Sequence, residues 1–294
     1  MAAGRYAPSP TSDLHLGNLR TAVVAYLAAR WAGGAFRLRV EDIDERSRPA
    51  VAARQLADLA GLGLAWDGPV MWQSRRRAAH LAAIEALAGA GLVYECFCSR
   101  REIQAATRAP HHPPGAYPGT CRDLAPQAAA QRRAVRPGAL RLRAQVGDWE
   151  VRDRLGGASR QPVDDFTLRR SDGAVAYNLA VVVDDAAQGV TQVTRGDDLL
   201  SSAGRQSYLA HLLGLAAVEY IHLPLVYNRA GLRLAKRDAA LAGAALLERF
   251  GGREGLLGGI GHSLGLAAPG EAVTLDRLGE RFDLDRLEIS RWTL

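Results

Sequence analysis

Lysine is almost missing from this chain. Of its 37 basic residues, 36 are arginine and Lys236 is the single lysine. A high-GC genome explains such a bias, so the surviving lysine needs a reason; its compact ammonium suits a phosphate site in a way a planar guanidinium does not. Cysteine is scarce too, with three in 294 residues. An odd number cannot pair fully, and Cys96 and Cys98 are too close for an easy disulfide. The expectation is a reduced, cytoplasmic compartment and a metal. No run of eighteen apolar residues and no basic-then-apolar leader occurs, which argues against a membrane span or a signal peptide. With 48% hydrophobic and 23% charged residues the composition is that of a globular chain, long enough for one large domain or two to three small ones. The formal charge of +6 favours an anionic partner without identifying it.

The opening reads as strand, loop and helix. Arg5-Tyr6-Ala7 precedes a Pro-Ser-Pro-Thr-Ser-Asp loop, and from Asn18 to Trp31 apolar residues recur at helical spacing. Phe36 to Glu41 alternates apolar and charged, as a half-buried strand does. Helices are expected from Ser47 to about Gly61 and from Gln73 to Gly91. This order predicts an α/β fold, a Rossmann-type doubly wound parallel sheet. From residue 96 cysteine, proline and glycine gather and short strands come after them, which predicts an inserted α+β subdomain. Within it Ser171-Asp172-Gly173 reads as a hairpin turn between strands at 166–169 and 176–182. The expected units are 1–95, the first half of the nucleotide-binding domain; 96–185, the insertion; 186–237, its second half; and 238–294, a short helical tail.

The segment Pro8 to Asn18 lies between the first strand and its helix, where doubly wound sheets bind ligands. A helix N-terminus there offers N–H groups to phosphate. Gly17 lets a nucleotide lie close to the backbone, and His15 is placed to donate to a phosphate oxygen. Between 96 and 121, Cys96, Cys98 and Cys121 supply three thiols, one short of a tetrahedral zinc site. His111 and His112 are the chemically obvious fourth donors.

Together, Arg5-Tyr6-Ala7-Pro8-Ser9-Pro10, His15-Leu16-Gly17-Asn18, Glu41-Asp42-Ile43-Asp44, Trp66-Asp67-Gly68 and Gln73-Ser74 resemble the class I aminoacyl-tRNA synthetases, in their glutamate-specific branch. The stretch Arg233-Leu234-Ala235-Lys236-Arg237 resembles that family's second, Lys-Met-Ser-Lys-Ser signature. Lys236 falls on the lysine that contacts the phosphates, while Arg233 replaces the first lysine and Ala235 the serine. The lost hydroxyl costs about 1 kcal/mol of hydrogen bonding, so slower activation is expected.

The resemblance implies ATP as substrate with Mg2+, held by His15, Gly17, Asn18 and Lys236, of which His15 and Lys236 are the catalytic pair. It implies a glutamate pocket of Arg5, Tyr6, Ala7, Pro8, Ser9, Glu41, Tyr177 and Arg195, with Glu41 facing the α-ammonium. Arginine is the expected reader of carboxylates. It also implies one zinc ion held by Cys96, Cys98, Tyr117 and Cys121, with Tyr117 as rival to His111 and His112. Full glutamyl-tRNA synthetases continue into an anticodon-reading domain, for which the 57 residues after Arg237 are too few. The chain therefore looks like the truncated paralogues that activate glutamate without tRNA and esterify it to queuosine in the anticodon loop of tRNA(Asp). A monomer is expected. A discriminating enzyme charging tRNA(Glu) and a non-catalytic RNA-binding paralogue are the alternatives.

Overall fold

The computed structural model describes residues 2–106, 117–234, 243–287 and 289–294. Lys236, His111 and His112 lie outside the described residues. Strand β1 (Ala3–Tyr6) leads through the proline loop into α1 (Leu16–Trp31), and β2 (Ala35–Val40) returns parallel to β1, with Arg5 beside Arg37. Helix α2 (Pro49–Gly61) starts on a proline whose missing N–H costs nothing in the first turn. Then come β3 (Met71–Trp72), a 3-10 turn at Gln73–Arg76, α3 (Arg77–Gly89) and β4 (Val93–Cys96). Next are α4 (Arg100–Ala106), α5 (Pro126–Val135), β5 (Ala139–Leu142), the hairpin β6 (Asp148–Asp153) and β7 (Gly157–Pro162), and β8 (Thr167–Arg169). Helix α6 (Tyr177–Ala187), β9 (Gln192–Gly196), α7 (Leu200–Leu212), β10 (Glu219–Leu223) and β11 (Val226–Tyr227) complete the central part. The C-terminal part adds α8 (Ala244–Phe250), α9 (Arg253–His262), α10 (Leu275–Arg281) and β12 (Trp292–Thr293), which pairs with β11.

Among the described residues the main sheet runs β3-β2-β1-β9-β10-β6-β7, parallel throughout except for the β6–β7 hairpin at one edge. This is a mixed α/β, Rossmann-like architecture. A second, antiparallel sheet, β4-β5-β8, lies beside it. The β6–β7 hairpin does not stay with that small sheet: Asp153 registers against Tyr220 of β10 and so joins the main one.

The two faces of the main sheet differ in chemistry because side chains alternate along a strand. Gly4 faces α1 so closely that a Cβ there would lie 2.9 Å from Ala29 Cβ. Tyr6, Phe36, Leu38, Ile221 and Leu223 share that side in one core with α1 and the C-terminal helices. The intervening residues Arg5 and Arg39 turn the other way, to Asp185 on α6. One face is an apolar seam; the other carries buried charge.

One expectation is corrected. The turn at 171–173 is present, with Gly173 at φ +84° and an antiparallel bridge between Arg169 and Val175. Beyond it the chain enters helix α6 rather than a strand. Leu179, Ala180, Val181 and Val182 are all buried, as are Asp184 and Asp185. A segment buried at four successive positions between α3, α7 and β8 obeys tertiary packing rather than the β-preference of its valines. None of the described helices is long and apolar enough to cross a membrane.

Candidate active site

The carboxyl ends of β1, β2, β9 and β10 open onto one cleft of about 620 Å³. Its floor begins at the proline loop. Gln55 of α2 donates to the carbonyls of Ser9 and Ser12, the Glu41 N–H donates to Pro8 O, and the Arg48 N–H to Pro10 O. The loop is thus pinned from α2 and from the chain beyond β2.

The loop ends on His15, the N-cap of α1. Its Nδ1 accepts from the Asn18 N–H at 3.3 Å, while Asn18 Oδ1 accepts from the His15 N–H at 3.2 Å. With Nδ1 used as acceptor, the neutral ring carries its proton on Nε2. A Cβ on Gly17 would lie 3.1 Å from His15 Cε1 and 3.2 Å from Nδ1, so glycine gives the imidazole its place. His15, Gly17 and Asn18 all line the cleft, at a helix N-terminus whose dipole favours anions.

Beside this lies the charged face. Arg5 donates through Nε and Nη2 to the two carboxylate oxygens of Asp185, at 3.1 and 3.4 Å, and through Nη1 to Thr194 O. Arg39, wholly buried, donates to Asp185 at 2.6 Å and to Glu41 at 3.1 Å. The burial of Asp185 would raise its carboxyl, but Arg39 and Arg5 outweigh this and hold it below the usual range. For Glu41 burial wins over the same two arginines and its carboxyl is raised. Tyr177, the first residue of α6, lines the cleft with 36% of its surface exposed.

Across the cleft Arg195 is held by neutral partners. Its Nε donates to His222 Nε2 at 3.0 Å, Nη1 to Gln206 Oε1 at 2.6 Å and Nη2 to Leu199 O at 3.2 Å. Gly196 comes next because a Cβ there would meet Asp198 Oδ1 at 2.6 Å. Asp198 in turn pairs with Arg233 at 2.7 Å on the cleft wall. Arg20 of α1 also lines the cleft, 1% exposed. Its four hydrogen bonds go to Pro224 O, Ser263 Oγ, Ser263 O and Ser290 O. Burial without a carboxylate partner among the described residues lowers its pKa to about 10.

Every described residue named from the sequence for nucleotide or glutamate lines this single cleft: Arg5, Tyr6, Ala7, Pro8, Ser9, His15, Gly17, Asn18, Glu41, Tyr177 and Arg195. Sequence reasoning missed Arg39 and the roles of Asp185 and His222. The available signal was a titratable residue at or near the carboxyl end of a core strand, or an acid on the helix facing it.

The cysteines form a separate cluster. β4 stops at Cys96, so Cys98 stands on the loop beyond the strand, yet the Sγ atoms of Cys96, Cys98 and Cys121 all lie within 4.8 Å of one another. Tyr117 Oη is 3.2 Å from Cys96 Sγ and 3.7 Å from Cys98 Sγ, and Cys98 and Cys121 are 3.5 Å apart. A tetrahedral zinc with bonds of about 2.3 Å to sulfur and 2.0 Å to oxygen has edges of about 3.8 and 3.5 Å, so this donor set fits one ion. Burial pushes the Cys98 thiol up to about 11. Cys121 is lowered: burial is outweighed there by hydrogen bonds from the Phe97 N–H and from Tyr117. Arg132 donates to Cys121 Sγ at 3.8 Å and the Arg141 guanidinium lies 3.7 Å from the Tyr117 ring centre, but burial and the bond with Cys96 hold the Tyr117 phenol above its usual range, which a bound dication would oppose.

Residues 2–251 match the family described as tRNA synthetases class I (E and Q), catalytic domain. The chain is 58% identical over 294 residues to the glutamyl-Q tRNA(Asp) synthetase of Nocardia farcinica, covering 99% of this chain and 93% of that protein. To the enzyme of the same name from Cutibacterium acnes it is 48% identical over 280 residues, covering 92% and 79%. Among solved structures it resembles a glutamate tRNA ligase from Elizabethkingia meningosepticum in complex with its amino acid, with TM-score 0.84 and 25% identity. That match covers 99% of this chain and 66% of the ligase.

Proposed function

The chain belongs to the class I tRNA synthetases of the E and Q type, and from that membership we propose that it activates L-glutamate with ATP, without tRNA, and transfers it to the queuosine base at the wobble position of tRNA(Asp). It is a ligase. In the first step an α-carboxylate oxygen of glutamate bonds to the α-phosphorus, the bond to the bridging oxygen breaks, and pyrophosphate leaves. In the second, a hydroxyl of the queuosine cyclopentene ring attacks the activated carbonyl and AMP departs.

The observation that carries this reading is the convergence of Arg5, Glu41, Tyr177 and Arg195 on the same cleft as His15 at the start of α1. Glutamate brings two carboxylates and one ammonium. Arg5 and Arg195 suit the carboxylates, and the Glu41 carboxylate suits the ammonium. Triphosphate then lies along the α1 N-terminus, where the His15 Nε2–H donates to oxygens that gain charge as pyrophosphate leaves. Lys236, on sequence grounds, supplies the point charge opposite. Mg2+ bound with ATP would offset phosphate charge. The enzyme contributes positioning and electrostatics, with no covalent intermediate on the protein.

Cys96, Cys98, Tyr117 and Cys121 would hold one zinc ion. Bound there, the ion would tie the end of β4 to the 117–121 turn, a structural role away from the cleft residues.

The test is glutamate-dependent ATP–pyrophosphate exchange without tRNA, and then glutamylation of tRNA(Asp) with and without queuosine and of tRNA(Glu). Exchange without tRNA and acceptance by queuosine-containing tRNA(Asp) alone is the expected result. Acceptance by tRNA(Glu) instead would sink the transfer step, and absence of exchange would sink the enzyme.

A further inference from the structure

We propose that His222 and Asp153 are positioning residues for Arg195, holding its guanidinium for a substrate carboxylate without neutralising it. The inference rests on the reading of Arg195 as a glutamate ligand, and it concerns two residues outside the pocket lining.

The hydrogen bonds fix the chemistry of this chain of groups. Arginine only donates, so His222 Nε2, 3.0 Å from Arg195 Nε, is the unprotonated nitrogen. The ring proton is then on Nδ1, which donates to Asp153 Oδ2 at 2.5 Å. Asp153 cannot swing away. Its Oδ1 accepts from the N–H groups of Leu155 and Gly156, and Oδ2 also accepts from the His222 N–H. These bonds, with His222 foremost, hold its carboxyl below the usual range against the effect of burial. Three groups in line are therefore set by one anchored carboxylate.

The far side of the guanidinium is set as firmly. Gln206 accepts from Nη1 and is itself turned by donating to Asn178 Oδ1 at 2.9 Å. Leu199 O accepts from Nη2, and the Tyr220 ring centre lies 4.8 Å from the guanidinium carbon. Three of the five N–H groups are thereby used among the described residues, leaving one on each terminal nitrogen of a group that lines the cleft. That is the pair a carboxylate takes in a two-point contact.

The contrast with Arg5 gives the arrangement its purpose. Arg5 keeps the same number of N–H groups, but a carboxylate, that of Asp185, lies directly against it with both oxygens. Arg195 forms no ion pair among the described residues, and a neutral imidazole stands between it and Asp153. Arg195 is oriented as tightly as Arg5 while retaining its charge for the ligand. The fold makes this possible only because the β6 hairpin joins β10 in register, with Asp153 beside Tyr220.

The experiment measures glutamate and ATP KM values and kcat by ATP–pyrophosphate exchange in the full chain. His222→Phe should raise the glutamate KM about tenfold to a hundredfold, as loss of a hydrogen bond to a charged group implies, with the ATP KM unchanged. His222→Gln, whose amide oxygen can take the place of Nε2, should restore much of the affinity. Asp153→Asn, which no longer selects the tautomer, should fall between them. These last two also serve if His222→Phe fails to fold. A glutamate KM within twofold of wild type in the His222 variants, while Arg195→Gln raises it, overturns the proposal and leaves the pocket standing. Equal changes in both KM values without rescue by glutamine mark a merely structural role and overturn it too. If Arg195→Gln leaves the glutamate KM unchanged, or exchange is absent in wild type, the pocket reading falls and the proposal with it.

Discussion

Asp185 grips Arg5 with both carboxylate oxygens although 180 residues separate them, and it is the group that closes β1 onto α6. The same oxygen that takes Arg5 Nε also accepts from Arg39 at 2.6 Å. One acid thus serves two buried bases, and its removal leaves Arg5 without its ion pair and Arg39 with Glu41 alone.

Asp185→Asn should therefore destabilise the fold by about 3–5 kcal/mol, the usual effect of breaking a buried ion pair from one side. Urea denaturation checks this; a loss under about 1 kcal/mol would show that Arg39 and Arg5 find other partners. The folded carboxyl titrates below its unfolded value. Its contribution is complete above about pH 4 and fades as pH falls through the lower folded value, so the variant should lose the acid limb of the stability profile.

Gly17→Ala sets helix propensity against the site. Alanine gains less than about 1 kcal/mol in the first turn of α1, but its Cβ at 3.1 Å from His15 Cε1 displaces the imidazole by tenths of an ångström. The melting temperature should stay within about 4 °C of wild type while kcat for exchange falls about tenfold or more. Unchanged kcat would free His15 from a phosphate role.

Glu41 must be ionised to hold an ammonium, and burial raises its carboxyl above 4.5. The glutamate KM should rise on acidification at a pH above that at which free glutamate side chains titrate, about 4.3, with kcat less affected. Glu41→Gln should raise the KM at neutral pH and flatten this limb. A KM independent of pH down to 4.5 in wild type would remove Glu41 from the pocket.

The cysteine cluster predicts about one zinc per chain by elemental analysis. Cys98→Ser should release it and lower the melting temperature, with exchange reduced less than by changes in the cleft. Tyr117→Phe separates the fourth ligand: retained zinc would point to another donor. A metal-free wild-type protein would end the assignment.

The nucleotide part of this site was legible because it lies on the first strand–loop–helix, and the glutamate pocket because the segments that carry it resemble the class I synthetases. Arg5 and Arg195 lie on buried strands, and Glu41 sits just past the end of β2. The segment 176–182 reads as a strand because Val181 and Val182 carry β-preference, and only burial at Leu179, Ala180, Val181 and Val182 in succession decides for helix. His222 and Asp153 were illegible for a different reason. Their partnership depends on which edge the β6–β7 hairpin joins, a long-range choice with no local signature. Lys236, singled out by composition, lies outside the described residues, and its role rests on the sequence.

Arg20 has a practical corollary. Its hydrogen bond to Ser290 O and the pairing of β12 with β11 bring Leu294 to within a backbone hydrogen bond of Tyr227, next to cleft-lining Val226. Changes at residues 290–294 therefore reach the cleft wall through Arg20 and Val226, although both lie far away in sequence.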